Sequence, residues 1–188
     1  MRIITGKYKG RILKVIPDKG VRPATDRVKG TIFNMLQNRL RLINADVLDL
    51  FAGSGNLGFE ALSRGAKRIV FVDDDDEVLE AVEANAEKLG CLDSCAIIRS
   101  DAISFIEKKS EPYDLIFADP PYSYERTSEI PKLIFERKWL KKYGYLIIEH
   151  SKHTSFESLP IYLLNTQKEF GNTRVSFFIH PTKNGDEK

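Results

Sequence analysis

Short, largely apolar runs alternate with amphipathic segments through most of the chain. Runs that predict buried strands occur at residues 46–51, 68–72, 95–99, 113–118 and 144–150. Apolar residues at helical spacing predict helices at residues 57–64, around 78–89, from 101 to about 109, and around 130–139. This alternation is typical of an α/β protein with a doubly wound, mostly parallel sheet. Two further strands at residues 161–169 and 174–180 flank Gly171-Asn172, which predicts an antiparallel hairpin and a seven-stranded sheet.

A separate pattern precedes the first of these runs. Residues 2–16 alternate loosely around Gly6 and Gly10, which predicts a small β-hairpin, and residues 17–20 predict a turn. Thr25 or Asp26 suits the N-cap of a helix whose apolar face recurs at helical spacing. The residues of that face are Val28, Ile32, Leu36 and Leu40.

Charge is distributed unevenly between this amino-terminal part and the rest of the chain. Residues 1–41 hold eleven Lys and Arg against two Asp, which is a formal charge of +9. Because the whole chain carries +2, the remaining residues carry a formal charge of −7. A short basic segment on an acidic body is typical of a protein that binds nucleic acid. We therefore expect a basic amino-terminal extension at 1–41, a main domain at 42–183 and a disordered tail at 184–188.

A glycine-rich loop follows the first strand of the main domain. Gly53, Gly55 and Gly58 satisfy the G-x-G-x-x-G pattern of dinucleotide-binding sites, and Asp73 follows about twenty residues later. Asp49 argues against a dinucleotide, because a carboxylate inside the strand would repel a pyrophosphate but could accept from the ammonium group of a methionine moiety. The second half of the chain also lacks a matching mononucleotide-binding repeat.

The sequence Asp119-Pro120-Pro121-Tyr122 ends the fourth predicted strand. Two prolines remove two backbone donors and stop the strand, which leaves the carboxylate of Asp119 and nearby carbonyls as acceptors. Tyr122 adds an aromatic face on which a planar ring can stack. This set suits a planar substrate with an exocyclic amino group, although a capping Asp and a core Tyr are the structural alternative.

Three motifs together resemble the RsmD family, which methylates a guanine N2 in bacterial 16S ribosomal RNA. They are Asp-Pro-Pro-Tyr, the segment 22–28 and the segment 49–58, and the similarity extends from about residue 2 to about residue 180. The resemblance implies a Rossmann-like class I methyltransferase fold, S-adenosylmethionine as cofactor and catalysis at Asp119, Pro120, Pro121 and Tyr122. It also implies a cytoplasmic monomer that acts on 16S rRNA, within the small ribosomal subunit or an assembly intermediate.

The resemblance also implies two sets of binding residues. The residues expected to bind the cofactor are Asp49, Phe51, Ala52, Gly53, Ser54, Gly55, Gly58, Asp73, Asp74, Asp101 and Ala102. In that set, Asp73 would accept from the ribose hydroxyls and Asp101 from the adenine amino group, although Asp101 could instead cap a helix. The residues expected to contact RNA are Arg2, Lys7, Lys9, Arg11, Arg22, Thr25, Asp26 and Arg27.

Other functions fit parts of the sequence. An adenine-N6 methyltransferase acting on DNA or another RNA would use the same chemistry, but we find no long insertion for reading a DNA sequence. A catalytically silent RNA-binding protein would have no use for Asp49, Asp73 and Asp119 together. Cys91 and Cys95 lack the spacing of a zinc site, so we expect reduced thiols and no metal. No apolar run of membrane-spanning length and no signal-peptide core is present, so we expect no membrane contact.

Overall fold

The computed structural model describes residues 1–16, 26–108 and 111–181. Seven strands and five α-helices lie within these residues. They are α1 Asp26–Gln37, β1 Asp46–Leu50, α2 Asn56–Ser63, β2 Arg68–Asp73, α3 Asp76–Leu89, β3 Cys95–Arg99, α4 Ala102–Ile106, β4 Tyr113–Ala118, α5 Ile130–Glu136, β5 Leu140–Ser151, β6 Leu163–Phe170 and β7 Thr173–Ile179. None of the helices in these ranges is long and apolar enough to cross a membrane.

The strands form one sheet in the order β3-β2-β1-β4-β5-β7-β6. The first five strands are mutually parallel, and β7 runs antiparallel to both β5 and β6. This arrangement confirms the predicted seven-stranded sheet with an antiparallel carboxyl-terminal hairpin. Because β1 and β4 are neighbours where the strand order reverses, the loops that follow them open into one crevice.

Both faces of the central strands of the sheet are buried. On one face α1, α2 and α3 cover a cluster that includes Phe33, Phe71 and Phe117. On the other face α4 and α5 cover a cluster that includes Ile116 and Trp139. Side chains alternate between faces along a strand, so four acidic residues at the carboxyl ends of β1, β2, β4 and β5 share the first face. They are Asp49, Asp73, Asp119 and Glu149.

The amino-terminal segment forms the predicted hairpin. Arg2 pairs antiparallel with Ile12, and the Ile3 amide donates to the Arg11 carbonyl at 3.0 Å. Ile3 and Leu13 are buried in the same cluster as α1, whereas the basic side chains of the hairpin are exposed. The predicted turn at 17–20, the tail at 184–188, Arg22 and Thr25 lie outside the described residues.

Lys29 links the hairpin to the glycine-rich loop. Its ammonium group is fully buried and donates to the Arg2 carbonyl and to Asn56 Oδ1, each at 2.6 Å. The buried Glu60 carboxylate lies 3.9 Å from the same ammonium and accepts from the Ile4 amide at 2.8 Å. Burial lowers the pKa of Lys29, and the nearby carboxylates act in the opposite direction. The hairpin, α1 and α2 therefore share one polar network.

Several boundaries differ from the sequence prediction, and α1 ends at Gln37, before Leu40 of its predicted apolar face. Helix α4 ends at Ile106 rather than near residue 109, and Trp139 lies beyond α5 because Lys138 adopts a left-handed φ of 59°. Strand β5 begins at Leu140, four residues earlier than predicted. The first residues of β5 are mostly polar, so the sequence pattern did not predict them as part of a strand. In the structure Lys141 is stabilised there by ion pairs with Asp46 and Asp114.

Candidate active site

A cleft of about 260 Å³ opens at the carboxyl ends of β1, β2 and β4. Nine of the eleven residues expected to bind a cofactor line it: Asp49, Phe51, Ala52, Gly53, Ser54, Asp73, Asp74, Asp101 and Ala102. Asp119 and Pro121 line the same cleft. The structure therefore places the glycine-rich loop and the end of β4 around one cavity, as the strand order requires.

The two glycines outside the cleft have a packing role in the structure. A Cβ on Gly58 would lie 2.3 Å from Ile69 Cδ1 and 2.4 Å from a Phe71 ring atom. A Cβ on Gly55 would lie 2.4 Å from the Phe59 ring, and its φ of 75° favours glycine in any case. Gly58 therefore allows α2 to approach β2 closely, and Gly55 leaves room for the Phe59 ring at the start of α2.

Two carboxylates, the buried Asp49 and the partly exposed Asp73, hold the loop at the floor of the cleft. Asp49 is 2% exposed and accepts from the Gly58 amide at 2.9 Å. Asp73 accepts from the Gly53 amide at 3.1 Å and from the Asp75 amide at 3.2 Å. Burial raises the pKa of Asp49 well above its usual value, with the Asp73 charge acting in the same direction. Burial also raises the pKa of Asp73, against the effect of the backbone donors. A cation or a pair of hydroxyl donors in the cleft would stabilise both carboxylates.

Asp101 caps a helix and also contacts an aromatic residue that the sequence did not single out. Its Oδ1 accepts from the Ser104 amide at 2.8 Å, and its Oδ2 accepts from the Tyr124 hydroxyl at 2.9 Å. The Tyr124 ring packs edge-on against Phe51 at 4.8 Å and lines the cleft. Burial, followed by the hydrogen bond to Asp101, raises the pKa of Tyr124 to about 12. The sequence around Tyr124 is polar and did not predict that the Tyr124 ring would form one wall of the cleft.

The Asp-Pro-Pro-Tyr segment lies at the opening of the cleft. Asp119 directly follows β4, Pro120 is buried, and Pro121 is exposed at the cleft edge. Burial raises the pKa of Asp119 well above its usual value, and the charges of Glu149 and Asp49 add to the effect. The Tyr122 side chain is 57% exposed, and its hydroxyl is hydrogen-bonded to Thr173 of β7.

Glu149 is an acidic residue of the site that the sequence analysis missed. It is 8% exposed near the end of β5, and its Oε2 has no hydrogen-bond partner within 1–16, 26–108 and 111–181. Burial raises its pKa to about 7. A glutamate inside an otherwise apolar strand run was the available signal, since a buried carboxylate without a partner is costly.

The hairpin that carries the basic residues adjoins the cleft through its two ends. Met1, Val15 and Ile16 line it, so the exposed side chains of Lys7, Lys9 and Arg11 lie on an element that adjoins the cavity. Arg2 is also exposed and forms an ion pair with Asp26 at 3.2 Å, and Arg27 is exposed on α1. The part of the chain that the structure describes contains no group of three His, Cys, Asp or Glu arranged to hold a metal ion.

Comparison with known proteins gives a consistent set of relatives. The model of a family described as conserved hypothetical protein 95 matches residues 1–179. The chain is similar to YlbH of Bacillus subtilis, with 36% identity covering 95% of this chain and 98% of that protein. It is 37% identical to ribosomal RNA small subunit methyltransferase D of Haemophilus influenzae, covering 81% and 79%. Among solved structures, yhhF from Escherichia coli superposes with a TM-score of 0.85 at 31% identity, covering 97% and 99%.

Proposed function

The chain belongs to the family of ribosomal RNA small subunit methyltransferase D, and from this membership we propose that it methylates the exocyclic N2 amine of a guanine in small-subunit rRNA. The structural similarity to yhhF also confirms the Rossmann-like class I methyltransferase fold. One observation of the site supports the proposal most strongly: the acceptors of Asp119 and the glycine-rich loop face one cleft.

The chemistry of the cleft fits S-adenosylmethionine as the methyl donor. When bound, this cofactor supplies an electrophilic methyl group on a sulfonium. Asp49 would accept from its ammonium group and Asp73 from its ribose hydroxyls, because both carboxylates line the cleft, Asp49 buried within β1 and Asp73 partly exposed at the end of β2. Apolar side chains, including Val78 and Ala102, line the part of the cavity that would hold the adenine. Asp101 would accept from the adenine amine only by sharing its Oδ2 with Tyr124.

Asp119 has the central role toward the substrate. Its carboxylate and the Pro120 carbonyl would accept hydrogen bonds from the amine, which concentrates the nitrogen lone pair in the direction of attack. The same acceptors stabilise the positive charge that forms on nitrogen. Because burial raises the pKa of Asp119, its carboxylate is a stronger base than an exposed aspartate, and we assign the released proton to it. Most of the remaining rate enhancement would come from holding the reacting groups in line.

The protein surface around the cleft suits an RNA substrate. The exposed Tyr122 ring offers a stacking platform for a base that has left its helix or loop. Lys7, Lys9 and Arg11 would contact phosphates beside the cavity. Arg27 lies at the start of α1 and would extend the same basic surface.

The proposal is tested by identifying the methylated nucleoside. Small ribosomal subunits and their naked RNA are incubated with the protein and labelled S-adenosylmethionine, and the digested RNA is separated by mass spectrometry. We expect label in N2-methylguanosine at one position. Label in N6-methyladenosine would replace the proposed substrate with adenine, and an absence of label from both RNA forms would contradict the rRNA assignment.

A further inference from the structure

Glu149 lies beside Asp119 on the same face of the sheet. Parallel pairing of β4 with β5 sets Ala118 opposite Ile148. The residues that follow them, Asp119 and Glu149, are therefore neighbours across the two strands. The proximity is also electrostatic, since the charge of Glu149 contributes to the raised pKa of Asp119. The adjacent ends of β4 and β5 therefore carry two neighbouring carboxyl groups.

No described neighbour accounts for Glu149 as a structural residue. Its Oε2 is buried without a hydrogen-bond partner in the described ranges. Arg174, on the adjoining strand β7, instead pairs with Glu169 at 2.7 Å. His150 is engaged with Ser176 at 2.7 Å on the other face. A buried acceptor left unpaired costs stability, and such groups in native proteins call for a functional explanation.

The position of Tyr122 indicates where a base would meet Glu149. The Tyr122 hydroxyl is hydrogen-bonded to Thr173, which stands opposite Ser151 in the β5–β7 register. The Tyr122 side chain therefore extends from the end of β4 across the end of β5, two residues beyond Glu149. A base stacked on this ring would lie beside the ends of β4 and β5, which carry Asp119 and Glu149.

The two purines differ at that edge. Guanine carries two adjacent donors, the N1–H and the N2 amine, whereas adenine carries an amine beside N1, which is an acceptor. We propose that Glu149 is a specificity-determining residue that accepts the N1–H of guanine while Asp119 accepts from the N2 amine. This inference rests on the proposed function. Adenine would set its N1 lone pair against the Glu149 carboxylate, so the pair of carboxylates selects guanine.

The test compares guanine with 2-aminopurine, which keeps the amine at C2 but has no hydrogen on N1. Small-subunit RNA is ligated so that the methyl-accepting position holds either base, and it is presented in the form that the unaltered protein methylates. We expect the unaltered protein to prefer guanine by about tenfold to a hundredfold in kcat/KM, which is the discrimination of one good pair of base contacts. In Glu149→Gln and Glu149→Met the preference should fall to within about threefold of unity. Exposed Glu136→Gln is the matched control and should keep the full preference.

A second measurement separates recognition from catalysis. RNA with inosine at the same position keeps the N1–H but has no amine to methylate, so the change in its affinity when Glu149 is substituted reports the Glu149 contact without catalysis. We expect Glu149→Met to weaken inosine RNA binding about tenfold or more and to melt at or above the temperature of the unaltered protein. Retained preference for guanine in both variants would overturn the inference and leave the proposed function intact. Melting of both variants several degrees lower would make Glu149 a structural residue and would also overturn it. If the unaltered protein leaves guanine unmethylated, the proposed function itself fails.

Discussion

The buried carboxyl group of Glu149 makes stability depend on pH in a predictable direction. Burial raises its pKa from 4.5 to about 7, so between these values the folded protein holds a proton that the unfolded chain has released. The free energy of unfolding therefore falls as the pH rises through this interval. At about 1.4 kcal/mol per pH unit, the full interval corresponds to about 3 kcal/mol of lost stability at pH 8.

Glu149→Gln removes this titration while it preserves the size of the side chain. At pH 5 the glutamate is protonated and resembles glutamine, so we expect the two proteins to melt at nearly the same temperature. At pH 8 the variant should be more stable by about 3 kcal/mol, which is roughly 6–12 °C for a chain of this length. Loss of the Glu149 charge also removes one cause of the raised pKa of Asp119. This second effect also makes the variant more stable at pH 8.

The assay is thermal denaturation followed by circular dichroism at half-unit steps from pH 5 to pH 8. Glu136→Gln provides the control, because Glu136 is exposed at the end of α5 and the same chemical change should give no pH-dependent difference. The reasoning would be refuted if Glu149→Gln were less stable than the unaltered protein at pH 8. It would also be refuted if the difference in stability between the two proteins were the same at pH 5 and at pH 8.

Three further predictions concern packing and charge. Gly58→Ala should destabilise the protein by about 1–3 kcal/mol, because the new Cβ would clash with Ile69 and Phe71. Gly30→Ala should instead stabilise it by about 1 kcal/mol, because Gly30 lies within α1 and the new Cβ would be in ordinary van der Waals contact with Ile4 at 3.8 Å. Urea denaturation of both variants checks the opposite signs, and equal signs would contradict the packing account. Lys29→Met should cost about 3 kcal/mol in the same assay, because it removes the buried donor to the Arg2 carbonyl and Asn56 and leaves Arg64, at 2.8 Å, as the remaining cation beside Glu60. A change no larger than that of exposed Lys132→Met would contradict the network. Changing four exposed basic residues of the hairpin to Gln should weaken binding of small-subunit RNA and reduce its log–log salt dependence by roughly 3, and an unchanged slope in fluorescence anisotropy would exclude the hairpin from the RNA contact. These residues are Arg2, Lys7, Lys9 and Arg11.

Local pattern predicted most of the fold. Strands, turns and helices are determined largely by residues close together in the sequence, which an apolar run or a glycine-rich loop reveals directly. Strands β3 Cys95–Arg99 and β4 Tyr113–Ala118 accordingly have the predicted bounds. The strand order then follows from general rules of doubly wound sheets. Pattern failed where distant contacts override it, as at Lys141, whose ion pairs with Asp46 and Asp114 support a polar strand start.

The candidate site was predicted in part for the same reason. The prediction for Asp119 required only the motif that contains it and the end of its strand. The position of Tyr124 depends on a hydrogen bond to Asp101, 23 residues away, and the isolation of Glu149 depends on what β4 and β7 place around it. Lys29 also occupies the buried face of α1, where a helical pattern predicts an apolar residue. Such roles follow from tertiary packing and not from spacing along the chain.

The central claim is that Asp119 acts on the substrate amine and leaves the cofactor site unchanged. Asp119→Asn preserves the shape of the side chain, so it should keep the affinity for S-adenosylmethionine, measured by titration calorimetry, within about threefold. The rate of methyl transfer to small-subunit RNA should fall by about 10² or more, which is typical of the loss of one positioned polar group. The most direct test measures both quantities on the same preparation. A large loss of rate at unchanged cofactor affinity is the predicted result, and a parallel loss of both would contradict the claim.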